Sequence, residues 1–208
     1  MVNEQPPAGS GIEPRGLTLE KYADWIRLPV DYLMGLGLSE ITSEGRRAVK
    51  VPFYGPDGDE ESTRLLLEVS DGGECLRRWK KGCRSYPYGL WRESSPSGAG
   101  YTVIVDDEID CHALWFHDLP AVRWSSEQSE ALVALMREVS TIYVVAKDTD
   151  NTKDAVNRLV AGGLEDRLRL MFIREATASQ ADLHRESPDA FGDAWGSEVS
   201  KAMSWDEY

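Results

Sequence analysis

Soft metal ligands are scarce in this chain: three cysteines and three histidines in 208 residues. Cys75, Cys83 and Cys111 have no CxxC spacing, and a structural zinc site needs about four closely set ligands, so none is expected. The thiols read as buried or idle in a reducing cytosol, which places the protein in the cytoplasm. His112 and His117 are off the i, i+4 geometry of a helical metal pair and read as surface or packing residues; His184, beside Arg185, reads as a solvated helix end. No apolar run approaches the roughly 20 residues of a membrane span. Residues 1–15 are polar, with no apolar stretch of a secretory signal, and read as a disordered leader.

Positive charge is outnumbered in the second half. The net charge is −13. Residues 1–100 carry 15 acids against 13 Lys/Arg, whereas residues 101–208 carry 21 against 10. Polyanion binding runs on cation–phosphate contacts, so the second half is not a DNA-coating surface. It suits a metal-binding half whose ions offset part of the charge.

The longest acid-free stretch of the first half is basic. From Cys75 to Arg92 there are six Lys/Arg and no acid: Arg77, Arg78, Lys80, Lys81, Arg84 and Arg92. Trp79, Tyr86, Tyr88 and Trp91 are interleaved. Cations with aromatics either track a phosphate backbone and stack on bases, or form a solvated basic hairpin whose aromatics pack on a neighbouring domain.

Around this stretch the patterns are those of an α+β unit over 16–94. Leu19, Tyr22, Ala23 and Ile26 keep helical spacing behind Thr18, a partial capping signature. Leu28–Leu38 reads as a second short helix stopped by Gly35 and Gly37. Ala48–Tyr54 and Arg64–Val69 read as strands of a hairpin turning at Gly55-Pro-Asp-Gly58. Residues 95–100 read as a linker. From 101 to 208 the punctuation is α/β, with strand runs at 102–105, 121–124, 142–145 and 168–173. Helices are expected at 111–117, 128–138, 153–161 and 189–203.

Two of these strands end in carboxylates: Tyr101-Thr-Val-Ile-Val-Asp-Asp-Glu-Ile-Asp110 and Ile142-Tyr-Val-Val-Ala-Lys-Asp-Thr-Asp-Asn151. Buried parallel strands deliver such residues to their C-terminal edge, where open α/β sheets bind ligands. Side by side, they would make a carboxylate pocket for a hard divalent cation. The plainer reading has Asp106, Asp107 and Glu108 as loop charges and Asp148 as a helix cap.

These residues resemble the TOPRIM motifs, and more narrowly the primase-like TOPRIM proteins of phages, plasmids and integrated elements. Val105-Asp-Asp-Glu-Ile-Asp110 looks like the strand followed by Glu-Gly-x-x-Asp, and Asp148-x-Asp150 like the metal-binding pair. Leu17-Thr-Leu-Glu-Lys-Tyr, Leu28-Pro-Val, Val51-Pro-Phe-Tyr, Arg78-Trp-Lys-Lys-Gly, Tyr88-Gly-Leu-Trp91, Ala181-Asp-Leu-His and Phe191-x-x-x-Trp195 extend the likeness over residues 16 to 203. It implies a mostly parallel α/β TOPRIM sheet flanked by helices, preceded by a small α+β primase-like subdomain. It implies Mg²⁺ or Mn²⁺ held by Asp106, Asp110, Asp148 and Asp150, with Asp106 and Asp110 catalytic. It also implies a template track using Arg77, Arg78, Lys80, Lys81, Arg84, Trp79 and Tyr88. Single-stranded DNA and NTPs would be the ligands, a replicative helicase or zinc-binding primase protein the partner, and nucleotidyl transfer in mobile-element replication the function.

The chain departs from the pattern at several positions together. Asp106 stands for Glu, Asp107 for Gly, Ser125-Ser-Glu for Pro-Gly-Ala, Lys153 for Gly, and Ser179-Gln180 for Lys-Asp. Shortening Glu by a methylene withdraws its oxygens by about 1.5 Å, where a 1 Å misplacement costs roughly 100-fold. Weakened or redirected catalysis is the alternative: a regulator that binds DNA or a replication protein, or a TOPRIM nuclease. Glu108 is a candidate to replace the displaced acid.

Overall fold

A computed structural model describes residues 15–93, 100–172 and 179–207. All but Arg15 of the expected leader, and the expected linker apart from Gly100, lie outside these residues.

The first sheet is antiparallel, in the order β1 (Ser39–Ser43), β2 (Arg46–Tyr54), β3 (Glu60–Val69), β4 (Cys75–Trp79). Pro52 sits within β2, where a missing N–H would ordinarily break a ladder. It is tolerated because β1 pairs only with residues Arg46 to Lys50, leaving β2 unpaired on that side at Pro52. Before the sheet come α1 (Leu19–Ile26) and α2 (Val30–Gly35); Thr18 caps α1 by accepting from Lys21 N–H, as its sequence suggested.

The second sheet runs β6 (Ala121–Arg123), β5 (Tyr101–Val105), β7 (Thr141–Val145), β8 (Leu168–Met171), all parallel, with antiparallel β9 (Met203–Ser204) on its edge. The strands carrying the two acidic motifs, β5 and β7, are direct neighbours, with Val103 opposite Tyr143 and Ile104 opposite Val144. The connecting and flanking helices are α4 (Glu108–Phe116), α5 (Ser129–Met136), α6 (Asp150–Ala161), α7 (Gln180–Glu186) and α8 (Phe191–Val199), with a short α3 (Leu90–Glu93) before β5. The mixed α/β architecture with its mostly parallel sheet is as expected.

Several expectations are corrected in detail. The helix expected from Cys111 begins at Glu108, because Asp107 caps it by accepting from Ile109 N–H at 3.0 Å. Glu108 and Asp110 therefore lie in a buried first turn rather than a loop. The stretch 189–203 divides into a 3-10 turn, α8 and the edge strand β9. Cys75–Trp79, read only as a basic segment, is the fourth strand of the first sheet.

One apolar core passes through both halves, joining Tyr22, Leu33, Phe53 and Tyr88 to Val105, Ala113 and Trp115. The chain enters this core at Gly89. Its φ is +106°, and a Cβ there would stand 2.9 Å from both the Ala121 carbonyl oxygen and Trp115 Cζ2, so only glycine fits the approach. Between Tyr22 and Tyr88, His112 is fully buried, with its Nδ1 2.8 Å from Tyr22 OH and its Nε2 2.9 Å from Tyr88 OH. Burial holds this imidazole neutral, lowering its pKa to about 3 against a weaker upward pull from Asp107.

The other histidines are structural too. His184, expected at a solvated helix end, is buried, with Nδ1 2.9 Å from His117 Nε2 and its Nε2 donating to Arg27 O at 3.1 Å. Phe191 stacks on His117 with ring centroids 4.1 Å apart.

Candidate functional site at the sheet edge

A cleft of about 470 Å³ opens at the C-terminal edge of the second sheet, between it and β4. Among its walls are Arg77 of β4, Asp107 and Asp110 at the start of α4, Lys147 after β7, and Asp182 of α7.

Each carboxylate of the first motif has partners within the chain. Asp106, at the tip of β5, accepts from Thr149 Oγ1 at 2.5 Å, Asn151 Nδ2 at 3.1 Å and Thr152 Oγ1 at 3.0 Å. The first motif is thereby tied to the second, as the neighbouring strands require. Asp107 pairs with Arg77. Burial would raise the Asp107 carboxyl, but Arg77 and the Ile109 N–H outweigh it and the pKa is lowered.

Glu108 does not point into a metal site. It is fully buried against Arg64 of β3 at 2.7 Å, with Arg123 of β6 at 3.6 Å. Both guanidinium groups lie over the Trp79 ring, at 5.0 and 5.7 Å, and Arg123 also donates to the carbonyls of Asp106 and Tyr86. Burial and the neighbouring Asp107 raise the Glu108 pKa, opposed by the arginines. This cluster joins the two sheets, which is the role its sequence left open.

Asp110 is also fully buried. Its Oδ1 accepts from Ala181 N–H at 2.9 Å, fixing the start of α7, and its Oδ2 faces Lys147 Nζ at 3.2 Å. Burial raises the Asp110 pKa against the pull of Lys147. Burial also works against the Lys147 ammonium, yet Asp110, with Asp107 and Asp106, more than offsets it and the Lys147 pKa is raised.

Asp148 and Asp150 are exposed and do not line the cleft, and Asp148 pairs with Lys153 at 2.6 Å, which holds its pKa down. The four carboxylates expected to share a metal are thus distributed: Asp106 and Asp110 are engaged below, Asp148 and Asp150 outside. Among the described residues no three His, Cys, Asp or Glu side chains form a group able to hold a metal ion. Mg²⁺ keeps several waters and is held by one or two free carboxylates, but Asp106 is bonded to three donors and Asp110 lies beside a buried ammonium. The arrangement at Asp106 and Asp110 does not fit a divalent cation.

The expected template track is also sorted by burial. Tyr88 is fully buried and its hydroxyl is spent on His112, so it offers no stacking face. Trp79 is half-buried, with Arg64 and Arg123 over its ring and Phe53 edge-on to it. Arg77 is committed to Asp107, and Arg78 to Glu44 and Ser43. Lys80, Lys81 and Arg84 remain exposed just beyond β4, Arg84 with a loose 3.8 Å approach to Glu127. Sequence reasoning did not single out Lys147, Arg64 or Arg123. Of these only Lys147 left a signal, a lysine directly ahead of Asp148-x-Asp150.

No protein-family model matches the chain, and no curated protein matches it in sequence. Solved structures do match in shape, and they define the class of fold. One is a DnaG primase catalytic domain bound to single-stranded DNA, with TM-score 0.65 and 15% identity over 89% of this chain and 72% of that one. The RNA polymerase domain of Mycobacterium tuberculosis primase DnaG gives 0.65 and 13%, over 90% and 77%. The primase domains of bacteriophage T7, solved with the lagging-strand DNA polymerase and bound to an RNA/DNA hybrid and dTTP, give 0.57 and 13%, over 84% and 88%. This chain has the fold of the bacterial primase catalytic core.

Proposed function

We propose that this chain is a primase-type protein of DNA replication that holds single-stranded nucleic acid and does not synthesise primer at its sheet edge. The observation that carries this reading is Asp110: both of its oxygens are taken, one by a backbone N–H and one by Lys147. Phosphoryl transfer of this kind relies on carboxylates that share cations with the phosphate oxygens, and here Asp106 and Asp110 of the corresponding acids hold the fold together. Lys80, Lys81 and Arg84 contact the phosphates, so binding is salt-dependent and indifferent to sequence. The helicase or zinc-binding partner and the mobile-element setting belong to the same proposal and rest on the sequence resemblance.

The metal-dependent transferase reading draws on one observation, the exposure of Asp148 and Asp150. Incubation with Mn²⁺ or Mg²⁺, NTPs and several single-stranded templates separates the two. The expected result is retarded template with no oligoribonucleotide. A product that disappears in Asp148→Asn/Asp150→Asn would establish the transferase reading instead.

A further inference from the structure

The second acidic motif is preceded by a lysine whose placement is unusual for a charged side chain. Lys147 leaves the end of β7 and turns inward, so that its side chain is only 22% exposed. Few lysines surrender so much water without a partner that needs them. The partner is Asp110, which is 0% exposed and stands in the first turn of α4. Around the pair the cleft carries more acid than base: Glu74, Asp107, Asp110 and Asp182 against Arg77 and Lys147. A buried carboxylate in such surroundings requires a cation, and the chain supplies one.

The geometry also shows what the cation does. Asp110 Oδ1 receives the Ala181 N–H near the start of α7. Lys147, by neutralising the other oxygen, lets β7, α4 and α7 meet at one buried point. Asp106 makes the same kind of arrangement with uncharged donors, from Thr149, Asn151 and Thr152. Asp107 makes it with Arg77. Each first-motif aspartate thus meets a protein donor where a metal-holding edge would present oxygen to an ion.

We infer that Lys147 is a built-in cation that takes the place of a divalent ion at the sheet edge, so that the folded chain neither binds nor needs Mn²⁺ at Asp110. The inference rests on the reading that the sheet-edge carboxylates are structural. Its test uses no nucleic acid, so that its failure is separate from a failure of the proposed binding function.

The full chain is titrated with Mn²⁺ by calorimetry and by the loss of the free-ion paramagnetic resonance signal, and melted in chelator and in Mn²⁺. Wild type and Lys147→Arg should melt alike with and without Mn²⁺. Lys147→Gln leaves buried Asp110 without its cation and should melt lower than wild type, to the same extent in chelator and in Mn²⁺. Stoichiometric Mn²⁺ binding by wild type that persists in Asp148→Asn/Asp150→Asn would overturn the inference, and so would a Lys147→Gln variant that melts with wild type. If Lys147→Gln does not fold, wild type and Lys147→Arg decide: a Tm that rises in Mn²⁺ overturns the inference, and an unchanged Tm with no binding upholds it.

Discussion

Acid should weaken this protein through one buried histidine, by an amount the structure sets. His112 lies between the Tyr22 and Tyr88 hydroxyls with no exposed surface, and its pKa is lowered to about 3 by burial. An unfolded-chain histidine titrates near 6.5. Below that pH the unfolded state takes up a proton that the folded state refuses, so stability is fully present above 6.5 and declines as pH falls towards the folded value. Each pH unit in this window costs about 1.4 kcal/mol, or roughly 2 kcal/mol between pH 6.5 and 5. For a chain of this size that corresponds to a fall in Tm of about 4–8 °C. Buried Glu108 and Asp110 have raised pKa values and act in the opposite direction, while His117 and His184, both lowered by burial, act in the same direction. The comparison is therefore with His112→Gln, which keeps a polar group between the phenols and does not titrate. The wild-type curve of Tm against pH should fall more steeply than that of the variant by the stated amount. Parallel curves would refute the assignment.

Other perturbations have expected outcomes of comparable clarity. Arg64→Met leaves Glu108 buried with only the more distant Arg123, and should lower stability by about 3–5 kcal/mol in urea unfolding; a loss under 1 kcal/mol would mean that Arg123 alone suffices. Gly89→Ala forces a side chain against Ala121 and Trp115 at positive φ and should cost about 1–3 kcal/mol from backbone strain alone, read from the same unfolding curves. Removing Lys80, Lys81 and Arg84 together should weaken single-stranded DNA binding and flatten the log–log salt slope by about 2, at roughly 0.7 per phosphate contact. An unchanged slope would remove these cations from the nucleic-acid surface.

Much of the fold was legible because strong local patterns coincided with burial. The apolar runs of β5 and β7 end in acids, and the structure sets those strands side by side. Thr18 caps α1, and Leu19, Tyr22, Ala23 and Ile26 form its buried face. The site was less legible because charge alone does not reveal pairing. Asp107 looked like a loop charge until its capping bond moved the helix start to Glu108. Lys147 and Arg64 are 37 and 44 residues from their partners Asp110 and Glu108, distances over which no local periodicity speaks. The basic-aromatic stretch illustrates the same limit. Its composition suits stacking on bases, yet Tyr88 is used up in the core and Trp79 is covered in part by two arginines, while Lys80, Lys81 and Arg84 beyond β4 stand exposed. Gln180, standing where the resemblance expects Asp, is fully buried, and its amide finds no partner among the described residues.

Single-stranded DNA affinity, measured by fluorescence anisotropy at constant ionic strength in chelator and again in Mg²⁺ or Mn²⁺, tests the central claim most directly. With the edge acids satisfied by Lys147, Arg77 and the 149–152 segment, the two affinities should agree within about twofold. A gain of tenfold or more on adding the divalent ion, lost in Asp148→Asn/Asp150→Asn, would contradict the account.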